Sequence, residues 1–204
     1  LQSGHDKLNT AGYITIERMF NERPHKPCMD MEANYEYMPM FALGKRHSGL
    51  DSSVRPYAAF TAYDVRKSLY RTALAGAAGF SYGCEPIRQV HREGDPVHAW
   101  PDVQIPTWEE GLAAPGSSQV SMLPEILLER SYVTRVPAQE LFVPHRESGA
   151  WADHLVIAMD GANQANADPA SRISIARCTE GNYIMAYMPI RQMLTLDTSQ
   201  LRTK

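Results

Sequence analysis

The sequence has no apolar run approaching the ~20 residues that a bilayer-spanning helix needs. Its first residues, Leu1-Gln2-Ser3-Gly4-His5-Asp6-Lys7, also lack the apolar core of a signal peptide. Neither charge sign is in excess: 23 acidic residues stand against 20 basic ones for a net charge of −3, and the two are spread along the chain. That leaves no electrostatic footprint for nucleic acid or an anionic membrane. Cysteine is scarce. Cys28, Cys84 and Cys178 are odd in number and form no CxxC pair, so neither a disulfide framework nor a metal knuckle is implied; they read as small buried hydrophobes. There is no glycine-rich phosphate loop and no metal-ligand spacing, so no cofactor and no metal are indicated.

What is present is a chain of 204 residues with 44% hydrophobic content, enough for a sizeable core and for one domain or one domain plus part of another. It opens on leucine in a segment that already looks structured, and sequence upstream is therefore expected. Apolar groups from Tyr13 to Phe20 recur at helical spacing and stop before Pro24. The run 26–32, opened by Pro27 and followed by polar residues, reads as a short strand leading into a loop. A Gly-, Ser- and Pro-rich loop covers 41–60. Thr61 and Asp64 have capping-box spacing, and the helix they start carries Val65, Leu69 and Leu74 before Gly76 and Gly79 end it. Residues 80–84 form the next strand, which makes a βαβ unit and a parallel pair. A helix over 118–129, with Pro124 in its first turns, is followed after Trp151 by short β-like runs at 155–159, 173–176, 183–188 and 193–196, as in an antiparallel meander.

Strand alternation places Cys28, Asp30 and Glu32 on one face and Met29 and Met31 on the other. If the methionines pack on helices, the two acids point into a barrel or crevice, where an unpartnered charge is costly. Two carboxylates about 5 to 9.5 Å apart are what glycoside hydrolysis requires, and Glu32 at the C-terminal end of its strand stands where α/β barrels keep their sites. Ordinary strand-end acids satisfied by arginines are the alternative. The run Glu85-Pro86-Ile87-Arg88-Gln89 adds charged and amide groups to the same mouth. His5 with Asp6 could serve as a site histidine and its orienting acid or as a hydrogen-bonded loop pair. Tyr35, Tyr37, Tyr82 and Trp108 could stack on sugar or pack in core and loops, with only Tyr35 and Tyr82 at expected strand ends. Glu36, four residues beyond Glu32, reads as structural or substrate-contacting.

Several segments taken in order, Gln2-Ser3-Gly4-His5, Asp30-Met31-Glu32-Ala33-Asn34-Tyr35-Glu36, Gly79-Phe80-Ser81-Tyr82-Gly83, Trp108-Glu109-Glu110-Gly111 and Pro115-Gly116-Ser117-Ser118, resemble the apiosidase-like glycoside hydrolases. The resemblance implies an α/β fold: strands six to eight of a (β/α)8 TIM barrel over residues 1–148, then part of an antiparallel β-sandwich domain over 149–204. In relatives that tail is sometimes labelled collagen-binding, a label that is not a function. It implies Glu32 as nucleophile of a two-carboxylate retaining mechanism on plant-type polysaccharide side chains. His5, Asp30, Tyr35, Glu36, Tyr82, Glu85, Arg88 and Gln89 are implied as substrate-binding residues. The proton donor is expected from an earlier strand, so the chain by itself is expected to be inactive. Export from the cell would suit such a substrate. Relatives place a His and a Trp after strand eight where this sequence has Cys84 to Gln89, which suggests a sugar with an acidic neighbour that Arg88 could pair. A carbohydrate-binding protein on the same fold is the competing reading.

Overall fold

The computed structural model describes residues 1, 12–40, 58–97, 103–143, 172–191 and 193–202. His5, Asp6, most of the expected loop (41–57) and the expected strand at 155–159 lie outside them. Helix α1 (Gly12–Asn21) leads to strand β1 (Met29–Asp30), and the short strands β2 (Pro39–Met40) and β3 (Ala58–Ala59) then pair as an antiparallel hairpin base. Helix α2 (Ala62–Leu74) and strand β4 (Gly79–Phe80) follow. β1 and β4 pair in parallel, Met29 with Gly79 and Asp30 with Phe80, as the βαβ reading expects. The capping box of α2 forms: the Thr61 N–H donates to Asp64 Oδ2 at 3.0 Å and the Thr61 hydroxyl bonds the same oxygen at 2.7 Å. Gly76, just past the end of α2, takes φ +103, the left-handed region that favours glycine.

After β4 come two short helices, α3 (Glu85–Gln89) and α4 (Trp108–Gly111), and then α5 (Pro115–Leu128). α5 starts earlier than the expected 118, so Pro124 sits inside it rather than in its first turns. Proline removes one backbone donor there, and the stripe Val120, Leu123, Leu127 still buries against α2 and β4. Leu69 and Val65 of α2 are completely buried beneath Phe80 and Tyr82.

A three-stranded antiparallel sheet follows, ordered β5 (Arg135–Pro137), β6 (Ser174–Cys178) and β7 (Ile184–Tyr187). β6 and β7 fall on two of the expected runs, while Leu196 makes only an isolated bridge to Phe142. β5 comes from a stretch ahead of the boundary expected at 149. The sheet leans on the helices: Ala176, Met185 and Tyr187 join the cluster of Ala73, Leu74, Leu123 and Leu127. Two buried arginines knit this seam. Arg71 donates to the Arg172 carbonyl at 2.9 Å, and both guanidinium groups lie over the Tyr13 ring, at 5.8 and 4.7 Å.

Candidate active site

In a parallel pair, residues in register project to the same face. Asp30 is in register with Phe80, whose ring packs on α2 and α5, and Asp30 is completely buried. Cys28, two residues earlier, packs with Tyr13 and Ile16 of α1 and with Ala75 and Ala77. Cys28 and Asp30 are buried, while Met29 and Met31 are the more exposed pair, Met29 lining an apolar hollow with Ala73 of α2 and Leu127 of α5.

The chain bends at Met31, and Glu32 follows the bend in a single-residue bridge. Glu32 is half-buried at the end of β1, close enough to Tyr35 and Arg88 for its charge to act on both. Burial pushes the Tyr35 phenol up, and the Glu32 charge adds to that shift. The Tyr35 ring lies on Gly83, where a Cβ would come within 2.1 Å of it, so the glycine makes room for the aromatic. Ala33 and Asn34, between Glu32 and Tyr35, are buried.

The Glu85 to Gln89 run is the helix α3, and its i, i+3, i+4 spacing turns Arg88 and Gln89 back onto Glu85. Arg88 Nε donates to Glu85 Oε2 at 2.7 Å, its Nη2 closes a bidentate pair on Oε1, and Gln89 Nε2 donates to Oε1 as well. Glu85 is fully buried while the Arg88 side chain is 44% exposed. The carboxylate below thus orients a guanidinium above, and that bond raises Arg88 beyond its ordinary value. Gly111 of α4 packs on Pro86, Ile87 and Cys84 and backs this helix.

Glu36 is fixed from every side. Its carboxylate accepts the Gly116 N–H at the start of α5, at 3.2 Å on Oε1 and 3.0 Å on Oε2, and the Tyr82 hydroxyl at 2.6 Å on Oε2. Burial and this bond push the Tyr82 phenol far above its ordinary value, so Tyr82 stays a donor. The Tyr82 hydroxyl is thereby tied to the Glu36 carboxylate at the start of α5. Asp30, Glu36 and Glu85 are buried and Tyr82 is half-buried, while Glu32 and Tyr35 are half-buried and Arg88 is exposed. Sequence reading missed the Glu36–Gly116 link, since 80 residues separate the partners.

Among the described residues no cluster of three His, Cys, Asp or Glu could hold a metal, and no helix is long and apolar enough to cross a membrane. An apolar hollow of about 350 Å³ lies between β4 and the end of α5, lined by Met29, Phe80, Leu127 and Tyr132 among others.

The fold is that of glycoside hydrolases. A solved structure described as a glycoside hydrolase matches with TM-score 0.71 at 22% identity, over 98% of this chain and 41% of its own. A family 5 glycoside hydrolase from Bacteroides vulgatus ATCC 8482 matches with TM-score 0.72 at 22% identity, over 98% of this chain and 39% of its own. The chain thus spans about two fifths of the length of these structures. The model of the apiosidase-like catalytic domain matches residues 1–134, and the chain belongs to that family. No curated protein sequence matches significantly.

Proposed function

We propose that the intact protein hydrolyses glycosidic bonds of plant-type polysaccharide side chains by a retaining mechanism, with Glu32 as the nucleophile. The observation that carries this is the position of Glu32: it is the carboxylate of its segment that is only half-buried, while Asp30, Glu36 and Glu85 are held inside. In the proposed mechanism the Glu32 carboxylate attacks the anomeric carbon as the leaving oxygen is protonated, and water then releases the sugar. The three buried acids have no access to a leaving group, so the proton comes from a carboxylate facing Glu32 across the site. A (β/α)8 barrel supplies such a position, with β1 and β4 as its strands seven and eight and the sheet β5–β7 as part of a following β-domain.

Tyr35 gives an apolar ring for a sugar face, and Arg88 gives a pre-oriented cation. We assign Arg88 to an acidic group next to the scissile bond. Support comes from its exposed guanidinium and the Glu85 bidentate bond that fixes its plane. His5 keeps the substrate-contacting role that the family resemblance implies.

The test is hydrolysis of a panel of aryl glycosides, an apioside and uronides included, by the intact protein and its Glu32→Ala variant. Turnover lost by more than about a thousandfold in the variant supports the assignment. Equal turnover in both proteins sinks it, and absence of turnover in both favours a binding protein.

A further inference from the structure

Glu36 does more than cap a helix. Its backbone N–H donates to the Gly83 carbonyl at 2.9 Å, and its own carbonyl accepts the Glu85 N–H at 2.9 Å. Those two bonds join it to the chain leaving β4 and to the first residue of α3, the helix that presents Arg88. Its carboxylate, 1% exposed, reaches the other way to Gly116 of α5 and to Tyr82. The residues between Glu32 and Glu36 belong to no helix or strand, yet Ala33 and Asn34 are buried and Tyr35 rests on Gly83. Ahead of Glu32 the Met31 N–H donates to the Leu1 carbonyl at 2.9 Å, and β1 is paired with β4. Glu32 is therefore carried on a short irregular span pinned at both ends, with Glu36 as the far pin.

We propose that Glu36 is a positioning residue, which sets where Glu32 and Arg88 stand relative to one another through its bonds to Tyr82, Gly116, Gly83 and Glu85. This rests on the assignment of Glu32 as nucleophile. An oriented nucleophile matters because a displacement of about 1 Å costs on the order of a hundredfold in rate. Glutamate suits this role, since a carboxylate is acceptor-only and all its described side-chain partners are donors. Gly116 is the complementary feature, since a Cβ there would lie 2.2 Å from Glu36 Oε2. Gly116→Ala must displace the carboxylate without touching the mouth.

The experiment compares Glu36→Ala, Glu36→Gln, Tyr82→Phe and Gly116→Ala in the intact protein, below the melting temperature of each. The probe is the 4-nitrophenyl glycoside that the wild type turns over fastest. Glu36→Ala and Gly116→Ala are expected to lower kcat by about 10- to 100-fold with KM within about threefold. Glu36→Gln, whose amide oxygen still accepts, should recover most of that loss. A lowered Tm with unchanged kcat per folded molecule overturns the proposal and leaves Glu36 an ordinary cap. Should Glu36→Ala fail to fold, Tyr82→Phe, which removes one hydroxyl, decides on the same readout. A crystal structure of Gly116→Ala reads the geometry without any substrate: the Glu32 carboxylate shifts by more than about 0.5 Å if the proposal holds, and an unmoved Glu32 beside an expelled Glu36 overturns it. If Glu32→Ala retains full turnover, the nucleophile assignment fails; if Glu32→Ala is dead but Glu36→Ala is not impaired, only the positioning role fails.

Discussion

The two ends of the β1–β4 pair are held by different physics. At the entry of β1, Cys28 packs with Tyr13, Ile16, Ala75 and Ala77, a small apolar cluster with few polar groups to satisfy. Beyond the exits of both strands, buried carboxylates do the holding: Glu36 against Tyr82 and Gly116, Glu85 against Arg88 and Gln89. Apolar contacts are non-directional and stabilise in proportion to area, whereas a buried carboxylate with fixed donors sets angles and distances. The end that must hold a reacting group in place is the end built from directional bonds.

Substitutions should separate the two ends. The largest loss of stability is expected at the apolar end: Ile16 is completely buried, and Ile16→Ala should lower unfolding free energy by about 2–5 kcal/mol in urea titrations while kcat per folded molecule is unchanged. Glu36→Ala removes the acceptor for two buried donors and should cost about 1–3 kcal/mol. Smaller than the Ile16 effect in stability, it should be the larger one in turnover.

A pH titration probes both ends at once. Burial raises the Cys28 and Cys84 thiols above their ordinary value of 9.0 and, together with the Glu36 bond, raises the Tyr82 phenol above 10.0. The unfolded chain then loses these protons first as pH rises, so the native state binds more protons and stability falls with pH. The urea midpoint should be flat from pH 7 to about 8 and decline above about 9; a midpoint that rises across that window contradicts the burial of these groups. At the directional end, the effect on turnover is smallest at Arg88. Arg88→Ala takes two donors from the fully buried Glu85 carboxylate and should cost about 1–3 kcal/mol, on the scale of Glu36→Ala, and the variant should lose preference for acidic over neutral glycosides. Unchanged kinetics on both would remove Arg88 from substrate recognition.

Local signals in the sequence carried over well. The Thr61/Asp64 capping box and the Gly76 stop bound α2 as read, and the βαβ order gave the parallel pair. The burial of Asp30, Lys67 and Arg71 was not legible, because alternation and an apolar stripe specify faces without saying which polar groups end up enclosed. The i, i+3, i+4 spacing of Glu85, Arg88 and Gln89 could have revealed their mutual pairing, had the run been read as a helix. No local pattern could have joined Glu36 to Gly116; that link exists only once α5 has docked. β5 was missed because three residues ending in Pro137 carry too little alternation to register as a strand.

The decisive measurement is azide rescue of Glu32→Ala on an activated aryl glycoside, with the product's anomeric configuration read by NMR. With Glu32 as nucleophile, turnover returns with azide and the glycosyl azide carries inverted configuration, since azide enters from the face the carboxylate vacated. Full turnover without azide, or a rescued product of retained configuration, would place the nucleophile elsewhere.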